Sequence, residues 1–129
     1  MLIDASAFLA ILLHEAEGPE MAKRISDAKA PYTSPLAIYE TSTRLMNVRN
    51  MGAAEAEAVI RALLDECSIR VVHITDSMTS VALTAFECYG RSRHPADLNF
   101  GDCFAYACAR AYRAPLLYKG NDFAQTDLR

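Results

Sequence analysis

The opening residues, Met1-Leu2-Ile3-Asp4-Ala5-Ser6, constrain the fold of this chain more than any other stretch. An apolar run without alternation is the pattern of a strand buried on both faces, and such strands belong mainly to parallel sheets covered by helices. An aspartate closes the run. A carboxylate at the carboxyl end of a parallel strand lies in the crevice where open α/β sheets place their ligands. Asp4 therefore reads either as the founding ligand of a divalent-metal site or as the N-cap of the helix that follows.

The order of elements along the chain agrees with that beginning. Residues 5–13 are rich in helix formers, and Gly18-Pro19 breaks the pattern before a second helical stretch over 20–28. Pro31-Tyr32-Thr33 is a short strand. Ser34 and Pro35 supply an N-cap and a first-turn proline for a helix reaching about Asn50. A further helix is expected over 53–66, a buried strand over 69–74, and a helix capped by Thr75 or Asp76 that runs to about Arg91. A polar loop over 92–98, a helix over 99–113, a strand over 114–118 and a short last helix complete the series. Strands separated by helices predict an α/β sandwich of three layers, with a mostly parallel central sheet of four to five strands. Residues 1–129 read as a single domain, large enough to bury roughly two-thirds of its surface.

Composition narrows the setting. The four cysteines, Cys67, Cys88, Cys103 and Cys108, form no C-x-x-C pair and read as reduced core residues of a cytoplasmic protein. The apolar stretch 5–13 has no basic leader and is too short to span a bilayer, so no membrane association is expected. A net charge of -3 argues at first against a nucleic-acid partner. That argument weakens if several acids converge on cations, because two bound Mg2+ ions would add about four positive charges locally.

Three other acids fall where they could meet Asp4. Glu40 lies in the first turns of the helix after the second strand; it could equally pair with Arg44 at i+4. Asp102 opens the apolar, small-residue helix Phe100-Gly101-Asp102-Cys103-Phe104-Ala105, shares a face with Asn99, and could simply complement the helix dipole. Asp122 follows the fourth strand in Tyr118-Lys119-Gly120-Asn121-Asp122-Phe123 and could be an N-cap. Asp97 and Asp127 lie in the same neighbourhoods with no distinct role. Points just beyond parallel strands share one edge of the sheet, so the four acids would converge. Clustered carboxylates raise one another's pKa unless cations neutralise them, and oxygen ligands without His or Cys select Mg2+ or Mn2+ over Zn2+.

At these residues the chain resembles the PIN-domain family, and in particular the toxin ribonucleases of VapBC-type toxin-antitoxin pairs. The matching pieces are Leu2-Ile3-Asp4-Ala5-Ser6, Glu40 in the helix opened by Ser34-Pro35, Leu98-Asn99-Phe100-Gly101-Asp102, and Leu117-Tyr118-Lys119-Gly120-Asn121-Asp122-Phe123. The likeness covers the whole chain and departs from the family pattern at Asp97, where a small residue is usual. It implies a PIN-like sandwich and an Mg2+- or Mn2+-dependent endoribonuclease whose acids are Asp4, Glu40, Asp102 and Asp122. It also implies support from Ser6, a homodimer, and a cognate antitoxin whose tail occupies the groove.

Metal-assisted phosphodiester hydrolysis needs no histidine base, so His14, His73 and His94 read as incidental. Asn99 and Ser6 would orient carboxylates or metal waters. Lys119, Arg44, Arg91 and Arg93 read as solvated surface charge with some capacity for phosphate. A haloacid-dehalogenase-like phosphatase would need a second acid two residues after Asp4, and Ser6 stands there instead. The alternative that remains is a catalytically silent PIN-like module that only binds a protein. Candidate association faces are the apolar sides of 53–64 and of the second helix.

Overall fold

The computed structural model describes residues 1–128. Its strands are β1 (Leu2–Ile3), β2 (Tyr32–Thr33), β3 (Arg70–Val71) and β4 (Leu116–Leu117). The helices are α1 (Ala5–Leu12), α2 (Gly18–Asp27), α3 (Pro35–Arg49), α4 (Ala53–Glu66), α5 (Met78–Tyr89) and α6 (Phe100–Ala111), followed by one 3-10 turn, Phe123–Gln125. The strands form one sheet in the order β3-β2-β1-β4, with every pairing parallel.

Alternation across the two inner strands builds the three layers. Leu2 pairs with Leu116 and Ile3 with Leu117. Leu2 and Leu116 pack with Met78, Ala82, Tyr106 and Cys108 of α5 and α6. Ile3 and Leu117 face the other way, onto Phe8, Ile25, Ile60 and Leu64 of α1, α2 and α4. Successive side chains of a strand point to opposite faces, so two residues per strand suffice to seed both cores.

Strand order also fixes where a ligand would sit. From β1 the chain winds outward through β2 and β3, then returns to place β4 on the other side of β1. The carboxyl end of β1 is therefore the switch point of the sheet, the place where open α/β sheets leave a crevice. Asp4 stands there, its backbone N–H bonded to Leu117 O at 2.9 Å.

Local signals explain α3 well. Ser34 Oγ accepts from Ala37 N at 3.1 Å, Pro35 occupies the first turn, and Asn50 ends the helix in the left-handed region at φ 53°. Other expectations require correction. The second helix begins at Gly18 rather than Glu20, because Pro19 fits a first turn and a Cβ at Gly18 would collide with Ala10 O of α1. The helix expected from Thr75 or Asp76 starts at Met78 and stops at Tyr89, before Gly90. The third strand is not buried: it is the sheet edge, both its residues are exposed, and Val71 is 40% exposed.

Cys88 is also no core residue. It is exposed on α5, whereas Cys103 and Cys108 are buried; all four cysteines are free thiols. The apolar sides of α2 and α4 are spent internally on Met21, Ile25, Ala56, Ile60 and Leu64. Large apolar side chains left open include Leu83 and Phe86 of α5 and Phe100 of α6.

Candidate active site

Asp4, Glu40 and Asp102 reach a common cleft from three elements. Asp4 ends β1, Glu40 lies in the second turn of α3, and Asp102 lies in the first turn of α6. Together with Ser6, Arg44 and Asn47 they line a cleft of about 350 Å3. Asp4 is buried, at 6% exposure. The structure thus brings together three of the four acids expected from the sequence.

Each carboxylate is held differently. Asp4 Oδ2 accepts from Ser6 N at 3.1 Å and from Ser6 Oγ at 2.6 Å, so Asp4 both caps α1 and faces the cleft. Ser6 Oγ in turn accepts from Lys119 N at 2.9 Å, which ties the end of β4 to Asp4 through one hydroxyl. Asp102 and Asn99 form a reciprocal capping box: Asn99 N donates to Asp102 Oδ2 at 3.0 Å, and Asp102 N donates to Asn99 Oδ1 at 2.9 Å. Asn99 therefore steadies Asp102 through the helix cap, with its own amide oxygen already engaged.

Glu40 is the least restrained. Among the described residues its carboxylate makes no hydrogen bond or ion pair, so the alternative reading, a pair with Arg44, does not hold. Gly101 is what makes room for it, because a Cβ at that position would fall on the Glu40 carboxylate.

Asp122 stands apart from the other three. It is exposed at the start of the 3-10 turn, makes no side-chain cap bond and does not line the cleft, yet its charge is felt by Asp4 and Asp102. It belongs to the rim.

The electrostatics record the crowding. Burial raises the Asp4 carboxyl above the ordinary range, against the hydrogen bonds from Ser6 that lower it. Burial, then Asp4 and Asp102, push Glu40 up to about 7. Asp102 is pushed up to about 6 by burial, helped by Asp4 and Asp122 and opposed by the Asn99 N–H and by Arg91. Carboxylates that raise one another in this way favour either protons or cations.

The donor set suits a hard divalent cation: it is all oxygen, and Asp4 Oδ1, Asp102 Oδ1 and both oxygens of Glu40 have no hydrogen-bond partner among the described residues. As the side chains stand, no three His, Cys, Asp or Glu among the described residues form a ready group around one point.

Asp97, Asp127, Lys119 and His94 find ordinary structural partners. Asp97 accepts from Ser92 N at 3.3 Å and lies 4.0 Å from Arg91, within the α5–α6 loop. Asp127 accepts from Tyr106 Oη at 2.8 Å and pairs with Arg110 at 3.6 Å. Lys119 Nζ bridges Glu15 at 2.8 Å and Glu17 at 3.7 Å. His94 Nδ1 accepts from Ala96 N at 3.0 Å while its ring meets Tyr89 edge-on. Arg44 and Asn47, by contrast, were legible as cleft residues only through their spacing from Glu40, at i+4 and i+7 on one helix face.

A family model described as the PIN domain matches residues 1–128. The chain belongs to the PIN-domain family. Within that family the relatives it matches include VapC ribonucleases. It is 42% identical to a VapC ribonuclease of Rhizobium meliloti, covering 98% of this chain and 97% of that one. It is 35% identical to ribonuclease VapC28 of Mycobacterium tuberculosis, covering 100% of this chain and 96% of the other.

Solved structures agree on the fold. Mycobacterium tuberculosis VapC20, a sarcin-ricin loop cleaving toxin, superposes with a TM-score of 0.73 at 20% identity, over 95% of this chain and 92% of that one. A toxin-antitoxin complex from Klebsiella pneumoniae gives a TM-score of 0.73 at 15% identity, over 98% and 92% of the two chains.

Proposed function

We propose that this chain is a divalent-metal-dependent endoribonuclease and the toxin of a toxin-antitoxin pair. The observation that carries the reading is the meeting of Asp4, Glu40 and Asp102 in one cleft at the switch point of the sheet. VapC relatives named as ribonucleases, matching this chain nearly end to end, support it.

Mg2+ or Mn2+, when bound, supplies Lewis acidity toward the phosphodiester and the attacking water. Asp4, Glu40 and Asp102 would hold the ion, with Asp122 approaching from the rim. Ser6 fixes the Asp4 carboxylate, so one ligand is oriented before anything binds. Asn99 does the same for Asp102 through the helix cap. Glu40 would hold the ion in its ionised form, as carboxylate ligands do.

An antitoxin partner is supported by the Klebsiella pneumoniae complex of the same fold. Self-association into a homodimer is supported by the open apolar groove between α5 and α6, lined by Leu83, Phe86, Phe100 and Phe104. No described helix is long and apolar enough to cross a membrane, which is compatible with action on RNA in the cytoplasm.

Incubation of the purified protein with single-stranded RNAs tests the nuclease reading. Cleavage with Mg2+ or Mn2+ that stops with EDTA, and is absent in Asp102→Asn, is the expected result. A second reading, a catalytically silent binding module, draws on the absence, among the described residues, of three acids ready-placed around one point. It is favoured if no RNA is cut and no Mn2+ binds.

A further inference from the structure

We propose that Arg44 and Asn47 on α3 form the substrate anchor of the cleft, with Arg44 binding an RNA phosphate beside the scissile bond. This inference rests on the nuclease reading and adds to it the residues that hold the polyanion in place.

The geometry comes from helix periodicity. Glu40, Thr43, Arg44 and Asn47 fall at i, i+3, i+4 and i+7, which aligns them along one face of α3. All four line the cleft that contains Asp4 and Asp102. Glu40 marks the acid end of the strip, and Asn47 lies two turns farther along.

Charge supplies the second argument. A cleft walled by carboxylates repels a phosphodiester, and an ion held by those carboxylates offsets the repulsion only at the scissile group. The neighbouring phosphate needs its own cation. Arg44 is the one basic residue lining the cleft among those described. It makes no ion pair among the described residues, even with Glu40 one turn away.

Its neighbours leave it free to act. The Thr43 hydroxyl donates to Glu40 O at 3.1 Å and is spent on the helix backbone. Arg44 and Asn47 are exposed, with no side-chain hydrogen bond among the described residues. A guanidinium presents a planar pair of donors that matches two phosphate oxygens, and an ammonium does not reproduce that fork. The Asn47 amide offers both a donor and an acceptor, which suits a ribose 2′-hydroxyl next to the anchored phosphate.

Two measurements on one set of variants test the proposal. Binding of a labelled single-stranded RNA is followed by anisotropy in EDTA across a salt series, and cleavage of the same RNA is followed with Mg2+. Arg44→Ala should weaken binding and raise KM by about tenfold, the size of one charged hydrogen-bonded contact, with kcat little changed. The slope of log K against log salt should fall by about one for the lost phosphate contact. Arg44→Lys should recover the salt slope but only part of the affinity. Asn47→Ala should narrow the preference for RNA over DNA of the same sequence.

Arg24→Ala, which removes an exposed cation from α2, serves as the control for net charge and should leave the salt slope unchanged. Unaltered KM and salt slope in Arg44→Ala, while the wild type cleaves and Asp102→Asn does not, would overturn this inference and leave the nuclease reading standing. Equal losses in Arg44→Ala and Arg24→Ala would overturn it too, by reducing the effect to overall charge. No cleavage by the wild type with either metal removes both.

Discussion

Gly101 on α6 lies directly against the carboxylate of Glu40 on α3, so that a Cβ at position 101 would occupy the space of that carboxylate. A helical Gly→Ala change normally stabilises by up to about 1 kcal/mol. Here the group in the way is the far end of a flexible side chain, which can swing aside. Gly101→Ala should therefore leave thermal stability within about 1 kcal/mol of wild type while lowering divalent-metal affinity and RNA cleavage. A melting curve beside a cleavage assay separates the two effects; full activity in Gly101→Ala would show that Glu40 need not stand where it does.

The raised acids make stability depend on pH. Glu40 stands at about 7 and Asp102 at about 6, against ordinary values of 4.5 and 3.8. Without metal, the folded protein holds protons that the unfolded chain has already released across that interval. Unfolding free energy therefore falls as pH rises from about 4 to 7, and the penalty is complete above about 7. Both carboxylates are partly open to water, so the change is on the order of 1 kcal/mol. Melting in EDTA should show Glu40→Gln gaining on wild type between pH 5 and 8, with the difference shrinking when Mg2+ is added. A constant difference across that range would contradict the assignment.

Ser6 joins two strand ends through one hydroxyl, donating to Asp4 Oδ2 at 2.6 Å and accepting from Lys119 N at 2.9 Å. Ser6→Ala leaves that amide without its partner and deprives Asp4 of the closer of its two bonds from Ser6. A loss of about 1–2 kcal/mol is expected from the unmet groups, together with weaker metal binding. Denaturant unfolding measures the first and metal titration the second.

Asp4→Asn and Asp102→Asn should abolish RNA cleavage without unfolding the protein. An asparagine keeps an oxygen for the Ser6 bonds at Asp4 and for the capping box at Asp102, while one member of a crowded anion set is lost. In metal-free buffer, melting temperatures should equal or exceed that of wild type. Cleavage at the wild-type rate by either variant would remove that carboxylate from the chemistry.

Much of this arrangement was legible from local sequence. The Ser34-Pro35 start of α3 is a cap signal that acts within one turn, and the structure uses it. Asp4 at the end of an apolar strand needed only the parallel-sheet reading to place it. What sequence could not supply was position within the sheet and the reach of single side chains. Val71 and Val72 look like core, but β3 is the edge strand, a fact set by strand order. Asp122 resembles the other acids in its sequence setting, yet the 3-10 turn leaves it on the rim. Glu40 and Arg44 have the spacing of an ordinary helix pair and do not pair, because burial beside Gly101 takes Glu40 into the cleft.

The central claim is that three carboxylates distant in sequence share one divalent cation. Mn2+ binding followed by electron paramagnetic resonance at pH 7.5 measures this most directly, on wild type, Asp4→Asn, Glu40→Gln and Asp102→Asn. Saturable binding by the wild type that weakens sharply in each of the three variants is the predicted result. A wild type that takes up no Mn2+, or variants that bind it as well as the wild type does, would contradict the account.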